Sequence, residues 1–151
     1  MSQSMADLFK SITTGVHVIG VADGEIRNAF TAAWVMQVSF RPLMLALSIN
    51  PGHKSHALLV AGRHFSVNVL DQRQMDLAAH FGQSTPADKL AGLAWQPGAG
   101  GAPLLDEALA QFECECAGEM PAGDHVVVIG RVINGRLMDP DRVPRVRQFM
   151  T

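Results

Sequence analysis

The side chains best suited to metal or redox work here are six histidines and two cysteines. His53-x-x-His56 is the one closely spaced histidine pair. It lacks the glutamate of a zinc-protease helix, and no cysteine pair accompanies it, so the spacing is too weak to carry a metal site. Cys114-x-Cys116 could in principle hold a soft metal or act as a redox thiol. Its alternation with Ala110 and Phe112 instead reads as core filling, the usual fate of free cysteine. Two residues apart on one strand, the thiols point the same way and are poorly placed to bridge each other. No Gly-x-Ser-x-Gly elbow occurs and no serine is paired with a base in a recognisable order, which excludes a hydrolase of that kind. There is no glycine-rich dinucleotide fingerprint or Walker loop either, so any phosphate must be held by other means.

Two stretches offer such means. Asn50-Pro51-Gly52-His53-Lys54-Ser55-His56 ends a strand and opens a helix, combining free backbone N–H groups, a hydroxyl and a lysine in the outline of an anion site. Taken alone, an ordinary capped helix with a solvated lysine is the simpler reading, since most helix starts bind nothing. Asn28-Ala29-Phe30-Thr31-Ala32-Ala33-Trp34 runs small residues and one hydroxyl where a strand normally carries bulk. Small side chains let a flat ligand approach the backbone, whose N–H and C=O groups then supply polar contacts. A tightly packed barrel corner would need the same composition.

The elements that must position these residues follow from patterning. Met5, Leu8, Phe9 and Ile12 have helical spacing behind Ser4, predicting a short capped helix over residues 4–12 that packs across the body of the domain. Residues 16–22 and 25–33 flank Asp23-Gly24 as an antiparallel hairpin. Residues 43–49 alternate as a strand with a buried face, ended by Asn50-Pro51-Gly52. A helix is predicted over 54–61, stopping at Gly62, and a strand over 64–70. Asp71, with Gln74 as reciprocal partner, is expected to cap a helix running to Phe81. Residues 82–103 are rich in Gly, Pro and Ala and read as a lid or rim. Along the next strand Ala108, Ala110, Phe112, Cys114 and Cys116 face inward while Gln111, Glu113 and Glu115 face water. A last apolar strand, 126–133, closes at Asn134-Gly135. Six or seven strands with short connections predict a mainly β, antiparallel barrel or sandwich, not a doubly wound sheet.

Whole-chain properties bound the answer. A chain of 151 residues has room for one domain, spanning residues 1–151, since domains run to about 100–200 residues. With 48% hydrophobic and 17% charged residues it can bury a core. A net charge of −2 provides no basic field for nucleic acid. The longest apolar stretches fall far short of the roughly 20 residues that span a bilayer. Met-Ser-Gln-Ser-Met-Ala-Asp lacks the features of a secretory signal, and free thiols fit a reducing compartment, so the cytoplasm is expected.

The motifs together carry a resemblance. Thr14-Gly15-Val16, Asn28 to Val35, Ser39-Phe40-Arg41-Pro42-Leu43 and Phe65-Ser66-Val67-Asn68-Val69-Leu70 resemble, in this order, the flavin reductase-like, FMN-binding split-barrel family. Asp88-Lys89-Leu90-Ala91-Gly92-Leu93, Gly101-Ala102-Pro103-Leu104-Leu105, Glu113-Cys114, Gly123-Asp124-His125 and Gly130-Arg131-Val132 continue it, so the resemblance covers residues 9–137, most of the chain.

The resemblance implies an antiparallel split β-barrel of Greek-key type with short peripheral helices, assembled as a homodimer with FMN near each subunit interface. Asn28, Ala29, Phe30, Thr31, Ala32, Ala33 and Trp34 would lie along the isoalloxazine ring. Ser48, Asn50, His53, Lys54, Ser55 and His56 would hold the ribityl phosphate. His125 matches the family histidine beside the flavin and the incoming nicotinamide, the catalytic candidate. No metal is implied. The expected activity is NAD(P)H-dependent reduction of flavin, with NADH or NADPH as donor and the reduced flavin passed to a monooxygenase or other electron-transfer partner. The chain departs from the family where Ala33 replaces the usual serine and where Arg41-Pro42 replaces a proline pair. Trp34 also resembles members that carry FMN as electron-transfer proteins without a nicotinamide site, which is the alternative activity. A flavin-free or haem-binding barrel is a third and weaker possibility.

Overall fold

The computed structural model describes residues 4–147; the first three residues, part of the stretch read above for targeting features, lie outside them. The chain forms α1 (Met5–Phe9), β1 (His17–Asp23), β2 (Ile26–Ala32), β3 (Val35–Phe40), β4 (Leu43–Ile49), α2 (Lys54–Gly62), β5 (His64–Val69), α3 (Met75–Phe81), β6 (Trp95–Pro97), β7 (Pro103–Leu105), β8 (Ala110–Ala122) and β9 (His125–Leu137). Seven strands make one antiparallel sheet in the order β2-β1-β5-β8-β9-β4-β3, and β6 and β7 pair separately. No helix among the described residues is long and apolar enough to cross a membrane.

Burial shows how the sheet closes. Phe30 of β2 and Leu45, Leu47 and Ile49 of β4 lie near opposite ends of the ladder, yet they share one core with Ile19, Val21, Phe65, Val67, Cys114 and Val128. The sheet is therefore curled into a barrel, with its ladder open between the edge strands β2 and β3. Ala33 and Trp34 join those two edges directly. A second core lies outside, where Val18, Ala29 and Leu70 meet Phe81 of α3 together with Leu90, Leu105 and Ala108. Strand β1 feeds both cores, which is why it reads as a continuous apolar run rather than an alternation. This is the mainly β split barrel with small peripheral helices that the resemblance implies.

Several elements differ from expectation. Ser4 does cap α1, its Oγ accepting from the Asp7 N–H at 3.2 Å, but the helix buries none of its own residues and leaves Met5, Leu8, Phe9 and Ile12 exposed. It does not pack across its own domain. Strand β3 follows β2 after a two-residue link, where patterning showed no separate strand because Val35, Val38 and Phe40 are half-buried or exposed. Helix α2 ends with Arg63 in the left-handed conformation, φ 61°; Gly62 is needed for another reason, because any Cβ there would collide with the Ala22 carbonyl. Asp71 does not cap α3. Its Oδ1 accepts from the Arg73 N–H at 2.8 Å in a turn, while Gln74 Oε1 accepts from the Asp71 N–H at 2.9 Å, and the helix starts after Gln74.

The segment 82–103 contains β6 and half of a small sheet that covers β5. Asn68 and Ser66 bind it there: Asn68 Oδ1 accepts from the Leu105 N–H at 2.8 Å, and the Ser66 hydroxyl donates to the Pro103 carbonyl. Gln111 is consequently buried, donating to the Leu105 carbonyl at 2.7 Å, and does not face water. Asn134-Gly135 is no turn. Strand β9 runs through it, pairing Gly135 with Phe112 after a bulge, and the true β8–β9 turn is Gly123-Asp124, with Gly123 at φ 64°.

Candidate functional site

One end of the barrel carries a cleft of about 230 Å³ lined by Phe30, Thr31, Ala32, Ala33, Trp34, Ser48, Ile49, Asn50, His53 and His125. Three elements build it. The end of β2 and its link to β3 form one wall, pinned to β4 by the Ser48 N–H donating to the Trp34 carbonyl at 3.0 Å. The small side chains of Thr31, Ala32 and Ala33 leave this wall flat and its backbone approachable. Thr31 Oγ1 donates to the Ala78 carbonyl at 2.6 Å, so its proton is committed to α3 while its lone pair is still free to accept.

The end of β4 and the start of α2 form the second wall. Asn50 Oδ1 accepts from the Gly52 N–H at 2.9 Å, and the His53 N–H donates to the Asn50 carbonyl at 3.0 Å. His53 caps α2, its Nδ1 accepting from the Ser55 N–H at 3.1 Å, and its ring lies 5.0 Å from that of Phe30. Desolvation, then the nearby Lys89 and Lys54 ammoniums, hold the His53 pKa below the ordinary histidine value. The neutral ring suits a cap, which must accept.

The start of β9 supplies the third wall. His125 and Trp34 meet with ring centroids 5.0 Å apart. His125 Nδ1–H donates to Asp124 Oδ1 at 2.8 Å, which orients the ring and leaves Nε2 without a protein partner among the described residues.

Not every sequence-derived candidate reaches the cleft. Asn28 and Ser55 are buried beneath it, Asn28 Nδ2 donating to Ser55 Oγ at 2.8 Å, so they tie β2 to α2 from inside. Ala29 faces the second core. Lys54 is exposed beside His53, its Nζ 3.5 Å from the Thr85 carbonyl. His56 turns toward the β8–β9 arm and pairs with Glu119 at 2.9 Å. Sequence reasoning did not single out Ile49, which lines the cleft. Buried Cys114 has its thiol pushed up to about 12 by desolvation, which fits the inert core filler expected of it.

A larger cavity of about 310 Å³ opens at the opposite end of β4, lined mainly by apolar residues such as Val35, Leu43, Val69 and Phe112, with His17 beside them. It lacks the mixed lining of the smaller cleft, where aromatic rings and a flat strip of small residues adjoin the polar groups of Ser48, Asn50 and His53. That lining leaves room for a planar group against residues 31–33, with Lys54 exposed beside His53.

Comparison with known proteins gives the family and the fold. The flavin reductase like domain family matches residues 9–146. The chain belongs to this family. Among solved structures, the NADH:FAD oxidoreductase SgcE6 of Streptomyces globisporus C-1027 superposes with a TM-score of 0.87 at 30% identity, covering 97% of this chain and 92% of that one. BorF, the flavin reductase component of a bacterial two-component tryptophan halogenase, superposes with a TM-score of 0.84 at 29% identity, covering 93% and 96%. Diflavin flavoprotein A 1 of Synechocystis is 35% identical over 138 residues, which is 87% of this chain but 24% of that protein. The chain therefore spans about a quarter of the length of the diflavin relatives it matches.

Proposed function

We propose that this protein is an NAD(P)H-dependent flavin oxidoreductase that binds FMN in the cleft between β2, β4 and β9. The observation that carries the reading is the cleft's lining: a flat wall at Thr31, Ala32 and Ala33, with Trp34, His125 and His53 around it and Lys54 exposed next to His53 at the start of α2. The flavin, when bound, supplies the hydride-accepting chemistry. The protein's part is to bind, orient and exclude water, so the lack of a catalytic triad is no objection. Backbone groups of residues 31–33 face the ring. Lys54 and the first N–H groups of α2 neutralise the phosphate. His125, fixed through Asp124, offers Nε2 to hold the nicotinamide carboxamide and moves no proton. Solved relatives support the pairing of substrates, SgcE6 having been determined with NAD and FAD fragments.

The test is anaerobic mixing of purified protein and FMN with NADH or NADPH. Bleaching of the flavin absorbance is expected with at least one donor, and no bleaching with either removes the reading. Parallel titrations with FMN, FAD and riboflavin establish which flavin is preferred. The diflavin relatives, in which this domain is one part of a longer chain, favour a second reading as an FMN-carrying electron-transfer module. Such a carrier retains its FMN through gel filtration and shows negligible turnover with nicotinamide.

We further assign a homodimer in the cytoplasm. The exposed apolar side chains of β3 and its neighbours, Met36 and Phe40 foremost at 65% and 78% exposure, support a buried interface. The free thiols support the reducing compartment. A monooxygenase or halogenase component fits as consumer of the reduced flavin, by likeness to BorF.

A further inference from the structure

The cavity of about 310 Å³ is the mouth of the barrel at the end of β4 away from the cleft. Six strands of the large sheet, β1, β3, β4, β5, β8 and β9, contribute to its lining, and among the described residues no Asp, Glu, Lys or Arg does. Aliphatic and aromatic side chains make most of the wall, and His17 interrupts them. As the first residue of β1 it shares the inward face with Ile19 and Val21 of the barrel core.

The state of the His17 ring follows from its surroundings. A carbonyl can only accept, so the 3.0 Å contact with the Ala32 carbonyl puts the ring proton on Nδ1. Burial, opposed only in part by that bond, holds the ring neutral at neutral pH. Nε2 is then an acceptor, and it has no hydrogen-bond partner among the described residues although His17 is only 9% exposed. Gly15 leaves this nitrogen uncovered, since a Cβ there would stand 3.0 Å from it. An acceptor withdrawn from water without a partner is unfavourable, and a wholly apolar side chain would make the better core. The missing partner is a molecule that is apolar over most of its surface and donates one hydrogen bond. An anion finds no cation in this lining and a cation finds no carboxylate, so the guest is uncharged. Barrel mouths with cavities of about 300 Å³ and more are frequent small-molecule sites.

We infer that the barrel mouth is a second ligand site, taking a small uncharged aromatic alcohol of the phenol class, its ring among Val67, Val69 and Phe112 and its O–H donating to His17 Nε2. The site is separate from the cleft, whatever the cleft binds. The two nevertheless share one histidine, because Nδ1–H of the same ring holds the carbonyl of Ala32, a residue of the cleft wall.

The test titrates the intact protein with phenol and with toluene, which has nearly the same shape and no O–H. Toluene leaves water more readily, so a cavity without an acceptor favours toluene. With Nε2 as acceptor, phenol is expected to bind at least as tightly as toluene. His17→Leu is expected to reverse that order, weakening phenol about tenfold and toluene less than about twofold. Should His17→Leu not fold, the wild-type protein with ¹⁵N-labelled histidine gives a second readout, in which phenol shifts the His17 Nε2 resonance well beyond any shift from toluene. Tighter binding of toluene than of phenol by the wild type, no saturable binding of phenol below about 10 mM, or equal Nε2 shifts from both overturns the assignment. Displacement of phenol by FMN overturns it too, by placing both in one site. So does a crystal of the protein soaked in phenol in which a side chain of a second copy fills the mouth.

Discussion

His125 and Trp34 approach each other at the mouth of the cleft, and only the histidine carries a free ring nitrogen held in place by a carboxylate. If that nitrogen orients the nicotinamide, His125→Ala lowers kcat/KM for the nicotinamide donor by about tenfold or more, with FMN affinity within about twofold. Stopped-flow reduction and fluorescence titration measure the two separately. His17 makes a different prediction, one strand in from the cleft wall. Burial pushes its pKa below the ordinary histidine value of 6.5, opposed in part by Nδ1–H donating to the Ala32 carbonyl at 3.0 Å. The folded protein therefore resists a proton that the unfolded chain accepts. The contribution is complete above about pH 6.5 and is lost as pH falls below it toward the depressed folded value. The denaturation midpoint should fall on going from about pH 7.5 to about 5.5, and His17→Gln should flatten that slope. At this scale the small residues 31–33 were legible because their run breaks strand composition. His17 was not, because a histidine's type says nothing of whether its ring ends in water or in the mouth of the barrel.

The elements position the site through close approaches that residue type alone does not announce. Helix α2 brings His53 and Lys54 to the cleft by lying against β1, and Gly62 is the contact point, with no room for a Cβ beside the Ala22 carbonyl. Gly62→Ala must shift the helix and is expected to cost about 1–3 kcal/mol, read by chemical denaturation. FMN affinity should fall with it. Asn28→Ala takes the partner from buried Ser55, at a cost of about 1–3 kcal/mol by the same measurement. Strands with one clean partner were readable from the pattern: β1, β2, β4 and β5 fall within two residues of expectation. What escaped was set by tertiary partners. Asn134-Gly135 looks like a turn, but β8 continues opposite it and holds it in the ladder through a bulge. Gln111 reads as wet until the small sheet of β6 and β7 covers it.

On the scale of the whole molecule, the open-edged barrel exposes an apolar β3 face and α1, surface that the proposed dimer would cover. Sedimentation should find a dimer, and Phe40→Asp should shift it toward monomer, since Phe40 is the most exposed large apolar side chain on that face. Motif order made the fold class readable, whereas the unpartnered face is invisible to patterning, which cannot distinguish burial in one's own core from burial against a copy. The central claim, that a flavin lies along residues 31–33 with its phosphate at Lys54, is tested most directly by a crystal structure of the protein grown with FMN. The account predicts the ring in van der Waals contact with the backbone of Thr31, Ala32 and Ala33, and the phosphate within hydrogen-bond reach of Lys54 Nζ. FMN seated instead in the apolar cavity beside His17, or a cleft closed by Trp34 and His125 with no flavin in it, would contradict the account.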